Sequence, residues 1–278
     1  MEKINQTAII LLLIISTLLA ACNKDRQSVE PVQFPVLSNV ENILLKDIVR
    51  NRLPSPFYHF SYSDDSVVSE ISFANNMDVY RLHYENKRLD QMLNIKNGNR
   101  LEYTYTGDRV SMITEFTGRT GFKRYECYFD YIPDNLLAQV QWFRFIDNGT
   151  VRKPYRKLMF TYYADGNLAG TDDFFAAANG EMQWHTHIQY KDYDDGINVD
   201  DFTLVKNFFE PLLFLPAIKL QKNNAATEIL TTIKNDFIIT YHYQYLNGLP
   251  VSQEGTMTQT RGLDSGKSSN FTSSFSYY

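Results

Sequence analysis

The chain has 278 residues and a formal net charge of −5, with its 27 Lys and Arg spread without a basic run. A mildly acidic chain of this kind has no electrostatic footprint for nucleic acid, so DNA and RNA are not expected partners. Tyr and Phe number 19 each against 13 Gly, an aromatic loading that belongs to strands rather than to helices or disordered tracts.

In chain order, the first feature is Ala8 to Leu19, an apolar run behind Lys3 broken by Ser16 and Thr17. It is shorter than the roughly 20 residues of a membrane-crossing helix and suits the apolar region of a signal peptide. The run ends in Leu19-Ala20-Ala21-Cys22. That tetrapeptide resembles the lipobox of bacterial lipoproteins, in which the Cys thiol receives a diacylglycerol and becomes the new N-terminus. The resemblance implies a signal peptide over 1–21, lipidation of Cys22 and membrane attachment through that lipid. Each buried acyl methylene adds about 0.8 kcal/mol to such attachment. Asn23 is not the Asp that marks inner-membrane retention in enterobacterial lipoproteins, which implies the outer membrane, on either its periplasmic or its surface face. Residues 22–40 carry Glu30-Pro31 and Phe34-Pro35 without periodicity and are expected to be a tether.

Residues 41–278 are expected to form one β-domain, because a single unit repeats along them. An apolar-x-Tyr pair leads into a polar turn, and an aliphatic residue follows five positions after the Tyr. Phe60-x-Tyr62 leads to Val67, Leu82-x-Tyr84 to Leu89, Tyr103-x-Tyr105 to Val110, Phe129-x-Tyr131 to Leu136, and Tyr163 to Leu168. Looser copies lie at Tyr193-Asp194-Asp195-Gly196-Ile197 and Tyr243-x-Tyr245-Leu246-Asn247-Gly248-Leu249. Alternation puts one strand face inward, and Gly or Asn at the turn supplies positive backbone angles. Second turns at Asn97-Gly98, Gly118 to Gly121, Asn148-Gly149 and Asn179-Gly180 separate the units. The fold class is therefore all-β: a long antiparallel up-and-down meander of roughly a dozen or more strands, forming a strongly curved sheet or open barrel. Within it, Tyr125, Cys127, Phe129 and Tyr131 share one strand face, so Cys127 is expected to be a buried, inert thiol. Around 200–225 the pattern breaks at Asn207 to Pro216, apolar but interrupted by two prolines and a charge. A helical or irregular insertion plugging one end of the sheet is expected there, with a partner-docking patch as the competing reading.

The hairpins resemble the YD repeats of RHS-like proteins. More closely, the lipobox, the hairpins, Tyr193 to Asn198, the apolar insertion and Lys222-Asn223-Asn224 together resemble Bacteroidota lipoproteins that contain a domain of unknown function with a porin-like β-fold. The likeness covers most of residues 43–278. It implies a curved antiparallel sheet and no assigned activity.

Candidate chemistry is sparse. The C-terminal strand has Ser276, Ser274 and Thr272 on one face, which is not how a lipid-facing strand is built. Gly262 to Ser268 lacks one residue of a phosphate-binding loop and opens no helix, so a hairpin turn is expected. His185 and His187, two apart on a strand, would share a face and could hold a divalent metal. Asp192, Asp194 and Asp195 fail the register of a calcium loop. Trp142 and Trp184 could stack on sugar rings from the concave face. No cofactor motif and no nucleophile elbow is present. These features point to a non-enzymatic binding or scaffold protein of the outer envelope, whose partner is a glycan or an envelope protein. The alternative is a metal-dependent or glycan-acting envelope hydrolase.

Overall fold

The computed structural model describes residues 43–200, 202–203, 214–216, 218 and 220–278, and only the backbone of residue 134. Among the described residues sixteen strands run in sequence order. Seven short ones come first: β1 (Leu45–Arg50), β2 (Tyr58–Tyr62), β3 (Val68–Phe73), β4 (Asp78–Glu85), β5 (Arg88–Asn94), β6 (Arg100–Thr106) and β7 (Arg109–Phe116). Longer ones follow: β8 (Lys123–Tyr131), β9 (Leu137–Ile146), β10 (Val151–Tyr162), β11 (Leu168–Ala176) and β12 (Met182–Ile197). After the insertion come β13 (Asn223–Thr232), β14 (Asp236–Leu246), β15 (Leu249–Arg261) and β16 (Ser268–Tyr277). Each strand pairs antiparallel with its neighbours, and β1 pairs with β16, so the meander closes into a barrel. Among the described residues every strand and every strand pairing lies within 45–277.

The sequence left open whether the sheet closes; it does. Two local expectations need correction. Tyr193 to Ile197 is not a hairpin, because β12 continues to Ile197, with its register to β13 shifted between Tyr193 and Ile197. Gly196 serves there as a close-approach position: an added Cβ would lie 2.4 Å from the Tyr245 ring. After Tyr131, a short 3-10 turn at Pro133–Asn135 lengthens the connection by one residue, and Leu137, not Leu136, is the aliphatic residue that becomes buried.

Cross-strand register assigns the two faces of the wall, since directly paired residues share a face. Ile48 pairs with Phe275 and with Tyr58, and Tyr58 with Phe73; farther round the ring Ile113 pairs with Cys127 and Cys127 with Trp142. All of these are buried, and they mark the inner face. The outer face is mainly polar, with exposed apolar residues such as Met159, Trp184 and Ile238 scattered over it. Asp47 meets His59, Glu70 meets Arg81, and His83 and Asp90 are hydrogen-bonded on adjacent strands. Glu126 takes both Lys123 and Arg152, and Thr256 and Thr258 bond Asn270 and Ser268.

The recurrent tyrosine has a structural role at the rim where β1 begins. Tyr105 donates to the Leu89 carbonyl at 2.8 Å, Tyr131 to that of Val110 at 2.8 Å, Tyr162 to that of Leu137 at 2.9 Å and Tyr193 to that of Leu168 at 2.7 Å. Tyr62 reaches Leu45 and Tyr277 reaches Pro250 in the same way. In each case the acceptor lies at the start of the preceding strand, so these six tyrosines latch their strands to the one before. In the fifth unit the latching residue is Tyr162; the hydroxyl of Tyr163 bonds the Tyr190 carbonyl instead.

The inside of the short-strand side is filled. Ile48, Ile71, Met92, Ile113 and Val140 are fully enclosed, and the described part of the insertion closes over them. The Phe202 ring packs edge-on against Tyr58 and Phe60 at 4.8 and 4.9 Å. Tyr103 donates to the Phe214 carbonyl at 2.8 Å, and Leu215 and Leu220 are buried in the same core. The described segment is irregular rather than helical and acts as an internal plug; residues 204–213, which hold most of the apolar stretch, lie outside the described residues. Its base is tied down by polar contacts: Asn167 accepts from the backbone of Lys222 and Asn223, and Lys222 donates to the Asp165 carbonyl.

Candidate functional site

Beside the plug, against the inner face of the taller wall, lies a cavity of about 580 Å³. Strands β12 to β16 supply Tyr190, Glu228, Tyr241, Tyr243, Gln253 and Phe271, and the ends of the insertion supply Asn198 and Gln221. Adjacent strands bring these together by register: Tyr241 faces Gly255, which faces Phe271, and Tyr243 faces Gln253, which faces Ser273. Gly255 is needed at this point because a Cβ there would lie 2.2 Å from the Phe271 ring. The ring therefore lies over bare backbone, 5.9 Å from the Tyr241 ring. Along β14, the Tyr243 ring follows Tyr241 at 6.2 Å and stacks on Tyr245 at 6.1 Å.

The polar groups of the cavity are held in place. Gln253 donates to the Tyr243 hydroxyl at 2.6 Å, and Arg50 pairs with Asp200 at 2.8 Å while its guanidinium lies over the Phe57 ring. Asn224 donates to the Tyr245 hydroxyl at 2.8 Å, and that hydroxyl donates to Asp194. Burial pushes the Tyr241 and Tyr243 hydroxyls well above the usual phenol range, and the carboxylate of Glu228 adds to this. Both remain protonated hydrogen-bonding groups at neutral pH. Aromatic faces with fixed amides and hydroxyls at their edges suit a small polar ligand with apolar faces.

The residues singled out from sequence are dispersed. Trp142 is buried on the inner face of β9, with the Arg156 guanidinium 5.6 Å over its ring. Trp184 stands on the outer face of β12, its Nε1 donating to Asp172 at 3.3 Å. The two indoles do not share a platform, because Trp142 pairs with inward Cys127 whereas Trp184 pairs with outward Phe174. His185 and His187 do not share a face either. A bulge between Asp173 and Phe174 shifts the register at His185. His185 consequently packs on the inward Phe175 ring at 5.1 Å, while His187 bonds the outward Asp172 at 2.9 Å. Among the described residues no group of three His, Cys, Asp or Glu could hold a metal. Cys127 is buried on the inner face, Gly262 to Lys267 forms the turn between β15 and β16, and Cys22 lies outside the described residues.

Porin-like proteins share this wall. The chain matches one from Bacteroides uniformis ATCC 8492 with a TM-score of 0.52 and 13% identity, covering 80% of this chain and 90% of that one. A second, from Bacteroides vulgatus ATCC 8482, matches with a TM-score of 0.56 and 11% identity over 84% of this chain and 99% of the other. At such identities the likeness is one of fold. The resemblance drawn from the sequence thus holds for the porin-like β-fold. No protein-family model matches the chain, and no curated protein does.

Tyr190, Glu228, Tyr241, Tyr243 and Gln253 were not singled out from the sequence. The signal was present in Tyr241-x-Tyr243-x-Tyr245 opposite Gln253-x-Gly255: a Gly and an amide at inward positions where the short strands carry aliphatics.

Proposed function

We propose that this protein is a non-enzymatic binding lipoprotein: a water-exposed barrel held at the outer membrane by lipid on Cys22, taking a small polar ligand in the cavity beside its plug. The observation that carries the reading is the polarity of the wall. A barrel that crosses a bilayer turns an apolar band outward and keeps a polar interior. Here ion pairs such as Glu70–Arg81 and Glu126–Arg152 lie outside, and the apolar core lies inside. Among the described residues no helix is long and apolar enough to cross a membrane. Attachment then rests on the Leu19-Ala20-Ala21-Cys22 resemblance, with 22–40 as the tether. Within the cavity, Phe271, Tyr241 and Tyr243 offer ring faces and Gln253, Ser273 and Asn224 offer neutral donors and acceptors, a combination that fits a neutral saccharide.

The test is a thermal-shift screen of residues 26–278 against neutral mono- and disaccharides, with Gln253→Ala and Tyr243→Phe as cavity variants. A ligand at 100 times its dissociation constant stabilises by about 2.7 kcal/mol. A shift in the parent protein that both variants reduce is the expected result; no shift from any neutral sugar removes the saccharide reading. In intact cells, incorporation of an alkyne-palmitate label that Cys22→Ala abolishes is expected, and labelling that survives the substitution contradicts the anchor.

A further inference from the structure

A second cluster lies on the inner wall away from the cavity, toward the rim opposite the tyrosine latches. Tyr125 on β8 pairs with Arg144 on β9, and Arg144 pairs with Lys153 on β10. These three positions are consecutive neighbours across three strands on the inner face. A bulge between Pro154 and Arg156 turns Tyr155 to the same side, where its ring lies 5.3 Å from Tyr125 and 5.9 Å from Phe175. The ladder continues from Phe175 to His185 at 5.1 Å.

The charges on this strip do not balance. Arg156 is held by Asp173 through two hydrogen bonds, and Arg124 is paired with Glu115. Arg144 and Lys153 are both exposed, and neither has an acidic partner among the described residues. Like charges directly opposite one another across two strands are destabilising. Their placement beside a continuous row of rings is a local conflict of the kind that marks a site rather than a packing solution. The Arg144 guanidinium sits 5.8 Å from the centroid of the Tyr155 ring, which places the cation beside the row of rings.

We propose that Arg144 and Lys153, with Tyr125, Tyr155 and Phe175, form a second binding site that takes a small organic anion carrying a ring. The phosphate or carboxylate bridges the two cations, and the ring extends over Tyr155 and Phe175. Bidentate contact from the guanidinium and a point charge from the ammonium are the usual division of labour in such recognition. Anion binding removes the cross-strand repulsion, so occupancy also stabilises the barrel.

The site can be tested on residues 26–278 by titration calorimetry with 4-nitrophenyl phosphate, inorganic phosphate and 4-nitrophenyl glucoside. The phosphate ester is expected to bind at least tenfold more tightly than inorganic phosphate, and the glucoside not to bind at this site. Arg144→Gln and Lys153→Gln should each weaken the ester about tenfold, and Tyr155→Leu should remove its advantage over inorganic phosphate. Without ligand, both charge variants should melt at a higher temperature than the parent, which also shows that they fold. Tyr243→Phe, in the other cavity, should leave ester binding unchanged. Absence of ester binding, or binding that Arg144→Gln and Lys153→Gln leave intact, overturns the proposal whatever the saccharide screen returns.

Discussion

At the scale of single residues, the barrel depends on where its tyrosine hydroxyls end. Six of them donate to backbone carbonyls of the neighbouring hairpin, so the residue gives ring burial and a latch together. Burial pushes Tyr62 and Tyr131 from 10.0 up to about 12. A phenol with a raised folded pKa keeps its proton while the unfolded chain loses it, so the unfolded state binds fewer protons and stability falls with rising pH. The contribution is whole below pH 10 and is lost as pH climbs toward about 12. Urea midpoints measured from pH 8 to 12 should stay level and then drop across that window. Tyr131→Phe should cost about 1 kcal/mol at pH 8 through its lost hydrogen bond and should make the alkaline drop shallower; an equally steep drop would remove the latch from the account.

At the scale of elements, the repeat was legible in the sequence because a strand period of two and a turn chemistry of Gly and Asn are both local. Gly98, Gly121, Gly149 and Gly180 sit at positive φ in the turns where the spacing places them, and Cys127 and Phe129 fall on the inner face as alternation requires. Bulges were not legible. They shifted the register at His185 and at Tyr155, and a one-residue shift moves a side chain to the other face. That is why the two histidines separated and why the ring ladder was not seen. The Asp-Asp-Gly of 194–196 carries turn residues but serves packing, since Gly196 admits the Tyr245 ring and Asp194 receives its hydroxyl. Composition cannot distinguish a glycine that turns the chain from one that admits a ring. The same logic applies to Gly255 in the interior of β15. Gly255→Ala is expected to lift Phe271 and destabilise the protein by about 1–3 kcal/mol, with a loss of cavity binding. A melting temperature equal to that of the parent would show that Phe271 does not depend on the bare backbone.

At the scale of the whole molecule, closure and content are separate matters. Closure follows from the number of strands and from the pairing of β1 with β16, and it removes every exposed sheet edge. Content follows from which alternate residues face inward, and here the inward set is aliphatic and aromatic on the short-strand side and aromatic with amides on the taller side. The fold is porin-like, with ion pairs such as Glu70–Arg81 and Glu126–Arg152 on the outer face and the apolar core inside. The final strand already showed this in the sequence, with Ser276 and Ser274 outward and Phe275 inward. The break in the repeat around 200–225 already pointed to a plug, but the cavity beside it and the contacts of Phe202, Phe214 and Leu215 were not legible, because they join residues far apart along the chain.

Whether the wall faces water or lipid is decided by the behaviour of residues 26–278 in buffer without detergent, followed by circular dichroism and light scattering. A water-exposed barrel should be soluble, monodisperse and β-rich, unfold cooperatively in urea and gain nothing from micelles. A chain that stays insoluble or unfolded until micelles or lipid are added would contradict it, because the wall would then be a lipid-facing surface.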